Sequence, residues 1–254
     1  MVTSLFLIII GCCLGSFISA LAQRTASGTS NWSGRSRCEN CHKSLSFTDL
    51  IPIISFLFRN GRCRFCGSAI GWHEPATELI TGFVFALVGL AHNNNVDILL
   101  IRDLIFSVFL ILLFLTDVYA GLLPHRFTIT AVIIALAFNF GMSEETKNIL
   151  SFQPLIGPAV CGGFFYLQYL ISRGAWVGGG DIGMGAFLGA ILGWQFGIFA
   201  IGLAYIIGAT YAAVLLIKKE VGLSSRLPFG PFLAVAGWLV LIYGNTFLDL
   251  LFFH

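Results

Sequence analysis

The chain has 254 residues, is 57% hydrophobic and only 10% charged, and has a mean hydropathy of +0.90. Because soluble domains carry about 25% charged residues, this composition excludes an ordinary soluble protein and indicates a polytopic membrane protein. The formal net charge of +2 does not indicate a partner, and no nucleic-acid partner is expected.

The first predicted element is Val2–Ala22, which is long enough to span a bilayer. A cleaved signal peptide is the alternative, since Ala20-Leu21-Ala22 resembles a cleavage site. Basic residues follow this apolar run and do not precede it, which favours a retained helix. Gly11 and Gly15, spaced by four residues, predict close packing against another helix. Residues 1–22 are therefore assigned to the first transmembrane helix.

Residues 23–75 form the long polar segment of the chain and contain two Cys-x-x-Cys pairs with 21 residues between them. The four cysteines are Cys38, Cys41, Cys63 and Cys66. Four thiolates with this spacing suit a closed, structural Zn²⁺ site. Two disulfides are an alternative that a cytoplasmic location disfavours. The remaining cysteines lie in apolar runs and are expected to pack in the core: Cys12, Cys13 and Cys161.

Further apolar segments fill residues 76–254, the predicted membrane domain. They are Ala76–Ala91, Ile98–Thr116, Phe127–Met142, Leu155–Ser172, Ile182–Trp194, Phe196–Ile217 and Phe229–Phe253. With the first helix they make about eight transmembrane helices. Ile182–Trp194 is short for a full span, so it is expected to be tilted, re-entrant or extended by its neighbour. Its Gly185, Gly189 and Gly193 form a ridge of small residues suited to tight helix contact.

The basic residues predict the orientation of these helices. When residues 24–75 are placed in the cytoplasm and the segments alternate, twelve of the 14 Lys and Arg residues are cytoplasmic. Arg102 and Lys147 are the two exceptions. The same orientation places Asp117 and Asp181 at the cytoplasmic face of the membrane, although these residues were not part of the count.

Asp117 and Asp181 are the candidate catalytic residues. Each lies where a membrane-length apolar run meets a turn, a position in which a carboxylate is costly. Two carboxylates that share a site can hydrolyse a peptide, because one acts as base for water while the other, protonated, acts as acid. The alternatives are helix caps, in particular an N-cap at Asp181, and a carboxylate-driven transporter. The match to G-x-G-x-x-G at Gly178 is rejected as a dinucleotide site, because that motif requires a βαβ unit.

A series of motifs occurs in order along nearly the whole chain. They are Gly15-Ser16-Phe17 with Arg24, Arg35-Ser36-x-Cys38-x-x-Cys41, Ile51-Pro52-Ile53, Gly61-Arg62-Cys63-Arg64-x-Cys66, Pro75-x-x-Glu78, Asp117-x5-Leu123-Pro124, Gly178-x-Gly180-Asp181 and Pro228-Phe229-Gly230-Pro231. In these motifs the chain resembles the type IV prepilin peptidases, a family of bifunctional leader peptidases and N-methyltransferases that belong to the GxGD membrane aspartic proteases.

The resemblance implies an all-α polytopic protease of the bacterial inner membrane, with a small cytoplasmic zinc-binding domain between helices 1 and 2. It implies that Asp117 and Asp181 cleave the leader of prepilins or pseudopilins, and that Gly178 and Gly180 let the substrate backbone approach. It further implies methylation of the new N-terminus with S-adenosylmethionine, for which the region around Glu78 is the candidate. Other expected contacts are with membrane lipid, and the sequence does not indicate an oligomeric state.

Two positions depart from the family pattern. His125 stands where the family usually has aspartate, and Gly183 stands where it often has lysine. We expect His125 to modulate the site without taking part in the chemistry. The two other functions considered are a carboxylate-driven transporter, which should contain inverted repeats with broken helices, and a non-catalytic membrane scaffold whose zinc domain docks a partner.

Overall fold

The computed structural model of the chain describes residues 2–28, 36–38, 40–142, 153–220, 222 and 227–252. These residues form α-helices, a 3₁₀ turn at Phe47–Asp49 and two isolated β-bridges, with no strand among them. The helices are α1 (Val2–Ala26), α2 (Ile54–Phe58), α3 (His73–Ala91), α4 (Ile98–Ala120), α5 (His125–Met142), α6 (Gln153–Ser172), α7 (Gly179–Ile217) and α8 (Gly230–Phe252). The all-α prediction is confirmed for this part of the chain. Arg35, Lys147 and Arg226, used above, lie outside it.

Six of the described helices are long and apolar enough to cross a membrane: α1, α3, α4, α5, α6 and α7. In α8 the apolar part is Gly230–Gly244, which is shorter than the length required of the other six. A polytopic membrane protein is therefore confirmed, whereas the predicted count of about eight spans is not. The difference arises at α7, which includes two of the predicted segments, and at α8.

The chain divides into two compact units, residues 1–112 and 113–254. In the first unit, α1 and α3 pack with their backbones in close contact. A Cβ atom on Gly11 would lie 2.8 Å from the Cα of Gly82, and one on Gly15 would lie 2.9 Å from the Cα of Glu78. Any larger side chain would push the helices apart, so the close packing predicted for Gly11 and Gly15 is confirmed.

Of the three cysteines expected in the core, two are buried and one is not. Cys12 lies on α1 against Gly82, and Cys161 on α6 has no exposed surface. Cys13 is exposed, so the prediction is wrong for that residue. The reason is geometric, because adjacent residues on a helix point in directions about 100° apart and α3 covers the side of α1 that carries Cys12.

In the second unit, α7 is broken and reverses direction. Gly193 has φ 76° and ψ 173°, a conformation outside the helical region that glycine adopts readily. A Cβ atom on Gly197 would lie 3.3 Å from the Cα of Gly189. Along a straight helix these two positions would be about 12 Å apart. The two halves of α7 therefore pack against each other on either side of Gly193.

The first half of α7 packs tightly on α6. Gly189 meets Gly157 backbone to backbone, and a Cβ atom on Gly185 would lie 2.9 Å from the carbonyl oxygen of Cys161. The predicted ridge of small residues is confirmed at Gly185 and Gly189, whereas Gly193 forms the break. This tight packing fixes the first half of α7, and its N-terminus carries Asp181.

Candidate active site and metal centre

Asp117 lies in the last turn of α4 and is only 5% exposed. The sequence placed it at the end of an apolar run, but the helix continues to Ala120, so Asp117 is inside it. Its Oδ2 accepts a hydrogen bond of 2.9 Å from the backbone N–H of Gly230, the first residue of α8. A helix N-terminus stabilises negative charge, which partly offsets the cost of burying this carboxylate.

Asp181 is the third residue of α7 and is half-buried. Its Oδ2 accepts a hydrogen bond of 2.9 Å from the N–H of Gly178, the N-cap residue. The N-cap role considered above for Asp181 is therefore wrong, because Gly178 is the N-cap and Asp181, the third helical residue, bonds back to it. The negative charge of Asp117 also acts electrostatically on Asp181. The Asp181 side chain thus bonds the first turn of α7 and also lies within electrostatic range of Asp117.

The glycines of the motif allow α7 to approach the segment after α4. A Cβ atom on Gly180 would lie 2.6 Å from the Cβ of Leu123, and one on Gly179 would lie 3.5 Å from the His125 ring. Gly180 therefore has a packing requirement of its own, separate from the predicted approach of a substrate. For Gly178, whose Cβ would meet the Asp181 carboxylate at 3.4 Å, the substrate role also remains a prediction.

His125 and Gly183, the two departures from the family pattern, lie beside the Gly178-x-Gly180-Asp181 motif. The His125 ring faces Gly179, and its side chain is otherwise exposed. Gly183 packs on Thr128, whose Oγ1 would lie 2.5 Å from an added Cβ. A lysine at position 183 would not fit against Thr128 without movement of α5 or α7.

Gly230 and Tyr205 belong to the surroundings of the site, but the sequence did not identify either as functional. The Tyr205 ring lies 4.8 Å from that of Phe229, which immediately precedes Gly230. Its hydroxyl donates a 3.0 Å hydrogen bond to Oε1 of Gln168, and it lies within electrostatic range of Asp181. For Gly230 a signal existed in the Pro-Phe-Gly-Pro motif, but the sequence did not show that its N–H binds Asp117.

The four predicted zinc ligands come together in the first unit, and their sulfur atoms all lie within 4.8 Å of one another. The Sγ atoms of Cys38 and Cys66 are 3.8 Å apart. Tetrahedral zinc with Zn–S bonds of about 2.3 Å places its sulfur ligands about 3.8 Å apart. The arrangement therefore fits a closed four-thiolate metal site.

The two Cys-x-x-Cys segments have the same backbone arrangement. In the first, the N–H of Cys38 donates to Lys43 and the N–H of His42 donates to Cys38. In the second, the N–H of Cys63 donates to Ser68 and the N–H of Gly67 donates to Cys63. His42 and Gly67 both have positive φ, 57° and 70°. Two equivalent turns present the four sulfur atoms to a common centre.

The four thiols lie so close together that they change one another's acidity. Hydrogen bonds, the largest from the N–H of Cys41, lower the pKa of Cys38 to about 6. The N–H of Lys43 lowers the pKa of Cys41, but desolvation and the neighbouring thiols outweigh it and raise the value to about 11. Thiols this close compete for ionisation, and a cation at their centre removes that conflict.

Glu78, the candidate for the methyltransferase region, is 7% exposed in α3. Its Oε2 accepts a 2.7 Å hydrogen bond from the N–H of Ile53, and its carboxylate also bonds the side chain of Ser16. Ile53 has φ 61°, which is unusual for a β-branched residue. The carboxylate therefore stabilises the turn that follows Pro52. Its link to methyl transfer remains a prediction.

Comparison with known proteins identifies two matching regions. Residues 9–92 match the Bacterial Peptidase A24 N-terminal domain, and residues 104–213 match the Type IV leader peptidase family. The chain is 32% identical to a Prepilin leader peptidase/N-methyltransferase of Bacillus subtilis, over 96% of this chain and 95% of that protein. It is 33% identical to one from Dichelobacter nodosus, over 82% of this chain and 71% of that protein.

A third relative, from Pseudomonas aeruginosa, has the same name and is 30% identical over 83% of this chain and 72% of that protein. No solved structure matches the chain. The family matches cover both the cysteine-containing segment and the segment with the two aspartates, as the order of motifs in the sequence predicted. The chain belongs to the type IV leader peptidase family.

Proposed function

We propose that this protein cleaves the leader peptide of type IV prepilins or pseudopilins, with Asp117 and Asp181 as its catalytic residues. The observation that carries the proposal is the packing of the segment after α4 on the start of α7, where Gly180 meets Leu123, because it brings the two aspartates into one region. Family membership supplies the substrate class and favours a protease over the transporter and the scaffold considered above.

Each carboxylate has one oxygen fixed by a backbone N–H, Asp117 by Gly230 and Asp181 by Gly178. The second oxygen of each is the one proposed to act. One aspartate, ionised, removes a proton from water as the water attacks the scissile carbonyl. The other, protonated, donates its proton to the carbonyl oxygen, which gives a gem-diol. The aspartate that took the proton of water then gives it to the leaving nitrogen as the peptide bond breaks, and the other aspartate recovers its proton from a hydroxyl of the collapsing gem-diol. The proton balance closes, and no covalent intermediate is required.

The basic residues support an active site that faces the cytoplasm, as deduced from the positive-inside rule. The break at Gly193 also supports the larger number of spans, because the two halves of α7 would then cross the membrane separately. With α8 as a further span, eight crossings place the ends of α4 and α6 and the starts of α7 and α8 on one side. These are the ends that carry Asp117, Asp181 and Gly230.

We assign a structural Zn²⁺ to Cys38, Cys41, Cys63 and Cys66. Four thiolates leave no open coordination position, so a metal here would stabilise the fold of this segment without taking part in peptide hydrolysis. The equivalent turns around the two cysteine pairs support the assignment, because both direct their sulfur atoms to the same centre.

N-methylation of the new N-terminus is the second proposed activity, with S-adenosylmethionine as methyl donor, and it follows from the names of the relatives. The carboxylate of Glu78 already bonds Ile53 and Ser16. Its proposed part is therefore to hold the Pro52–Ile53 turn in place, and we assign it no step in the methyl transfer.

The experiment is to incubate the purified protein with a prepilin and S-adenosylmethionine and to identify the products by mass spectrometry. Leader loss together with an added methyl group at the new N-terminus is expected. A heat-denatured sample serves as the control. An unchanged prepilin, with the protein still folded and membrane-inserted, would contradict the proposed function.

A further inference from the structure

The short helix α2 carries an apolar face that no other described part of the chain covers. Ile54, Leu57 and Phe58 are spaced as i, i+3 and i+4, so they share one side of the helix. They are 51%, 64% and 86% exposed. Large apolar side chains grouped in this way on a polar segment mark a surface that binds an apolar partner.

Trp72 connects this face to the membrane boundary. It is 77% exposed and immediately precedes His73, the first residue of the membrane helix α3. Aromatic residues at such positions are typical of the boundary between the hydrocarbon core and water. The Trp72 ring lies 5.0 Å from the ring of Phe56, which belongs to α2. This contact holds α2 at the level of the same boundary.

Both ends of the cysteine-containing segment are anchored near the membrane boundary. The side-chain amide of Gln23, in the last turns of α1, donates a hydrogen bond to Glu74 in the first turn of α3. The chain therefore leaves one membrane helix and enters the next at neighbouring points. The described residues between α1 and α3 are therefore anchored at both ends at the membrane boundary, and the apolar face of α2 is within reach of lipid.

The charge of the segment favours an anionic surface. Residues 36–72 contain five basic and two acidic side chains, and Arg62 and Arg64 are exposed. One of the acidic residues, Asp49, forms an ion pair with Arg59. Basic side chains near a bilayer are attracted to anionic headgroups.

We propose that the apolar face of α2 inserts into the headgroup region of the bilayer that α1 and α3 enter, through Ile54, Leu57, Phe58 and the neighbouring Trp72. In the same arrangement, Arg62 and Arg64 bind the headgroups of anionic lipids. The cysteine-containing segment then lies on the membrane surface and is not held away from it in water. The partner is lipid, and the proposal does not depend on peptidase or methyltransferase activity.

The test uses the full-length protein in lipid nanodiscs of phosphatidylglycerol and phosphatidylcholine. A benzophenone amino acid replaces Phe58 or, in the matched control, Ser44, which is exposed and forms the isolated β-bridge with Arg37. After illumination, lipid adducts are counted by mass spectrometry. A further label at Leu57, on the same face, replaces the Phe58 label if the latter disturbs folding.

We expect lipid adducts from positions 57 and 58, few from position 44, and a lower yield when phosphatidylglycerol is replaced by phosphatidylcholine. Similar yields at the apolar face and at position 44 would overturn the proposal. Adducts from position 58 to an added pilin, without adducts to lipid, would assign the face to a protein partner. A yield that does not depend on anionic lipid would contradict the part assigned to Arg62 and Arg64.

Discussion

Replacement of Gly230 by alanine should slow the peptidase strongly while leaving the fold in place. An added Cβ would lie 2.6 Å from Oδ2 of Asp117, 3.1 Å from its Cγ and 3.2 Å from its Cβ. Ordinary contacts begin at 3.4 Å, so the carboxylate oxygen would have to move by about 0.8 Å. The whole Asp117 side chain is crowded, and rotation of the carboxylate alone would not relieve the contact.

A shift of this size has a large expected effect on rate. Misplacement of a reacting group by about 1 Å costs roughly 100-fold in rate, which corresponds to about 2.7 kcal/mol of activation free energy. We therefore expect Gly230→Ala to cleave a prepilin about 100-fold more slowly than the unmodified protein. The assay is a time course of leader removal, followed by gel mobility and mass spectrometry.

The matched control is Gly202→Ala in α7, where an added Cβ meets nothing within 4 Å. This variant should cleave at the unmodified rate. Both proteins should insert in the membrane and unfold at similar temperatures. The loss expected for a misplaced carboxylate is roughly 100-fold. If the cleavage rate of Gly230→Ala is instead within about two-fold of the rate of Gly202→Ala, then the contact between Gly230 and Asp117 does not position the reacting group.

Four further predictions follow from the same structure. The purified protein should contain one Zn²⁺ per chain, measured by elemental analysis, and Cys63→Ser should lose it, whereas Cys13→Ser should not. Asp49→Asn should lower the thermal stability of the cysteine-containing segment at neutral pH. Burial alone would raise the pKa of Asp49, but bonds from Ser46 and the charge of Arg59 lower it overall, so its contribution is present above about pH 4 and lost below. Proteolysis of the two proteins across pH should show this difference, and identical profiles would refute it. His125→Ala and His125→Asp should retain substantial cleavage, and a fully inactive His125→Ala would make His125 part of the chemistry. Asp117→Asn should still methylate a pilin whose leader has already been removed, and parallel loss of both activities in the folded variant would indicate one shared site.

The helices were predictable because membrane-length apolar runs leave few alternatives for the backbone. The break in α7 at Gly193 lies at the end of the predicted segment Ile182–Trp194, and the small residues of that segment identified the side that contacts α6. The backbone conformation of Gly193 was not predictable, since glycine in a membrane helix serves packing as often as bending. The helix ends were also displaced, as with Asp117, because polar residues extend a helix beyond its apolar part.

The residue types of the candidate site were predictable, but the contacts that hold those residues in place were not. The spacing of the cysteines identified the four residues whose sulfur atoms come together, and the positions of the aspartates predicted the dyad, which stays a prediction. The hydrogen bond from Gly230 to Asp117 joins residues far apart in the chain, and no local pattern specifies such a contact. The hydrogen bond from Ile53 to Glu78 was not predicted for the same reason. The fold of the cysteine-containing segment brings these two residues together.

The central claim is that Asp117 and Asp181 act together as acid and base. Its most direct test is the rate of prepilin cleavage by Asp117→Asn and Asp181→Asn, each purified in folded form and compared with the unmodified protein. Each substitution keeps the size of the side chain but removes a group that can give or take a proton. We expect both variants to release no leader above background. Full cleavage by either variant would contradict the two-aspartate mechanism.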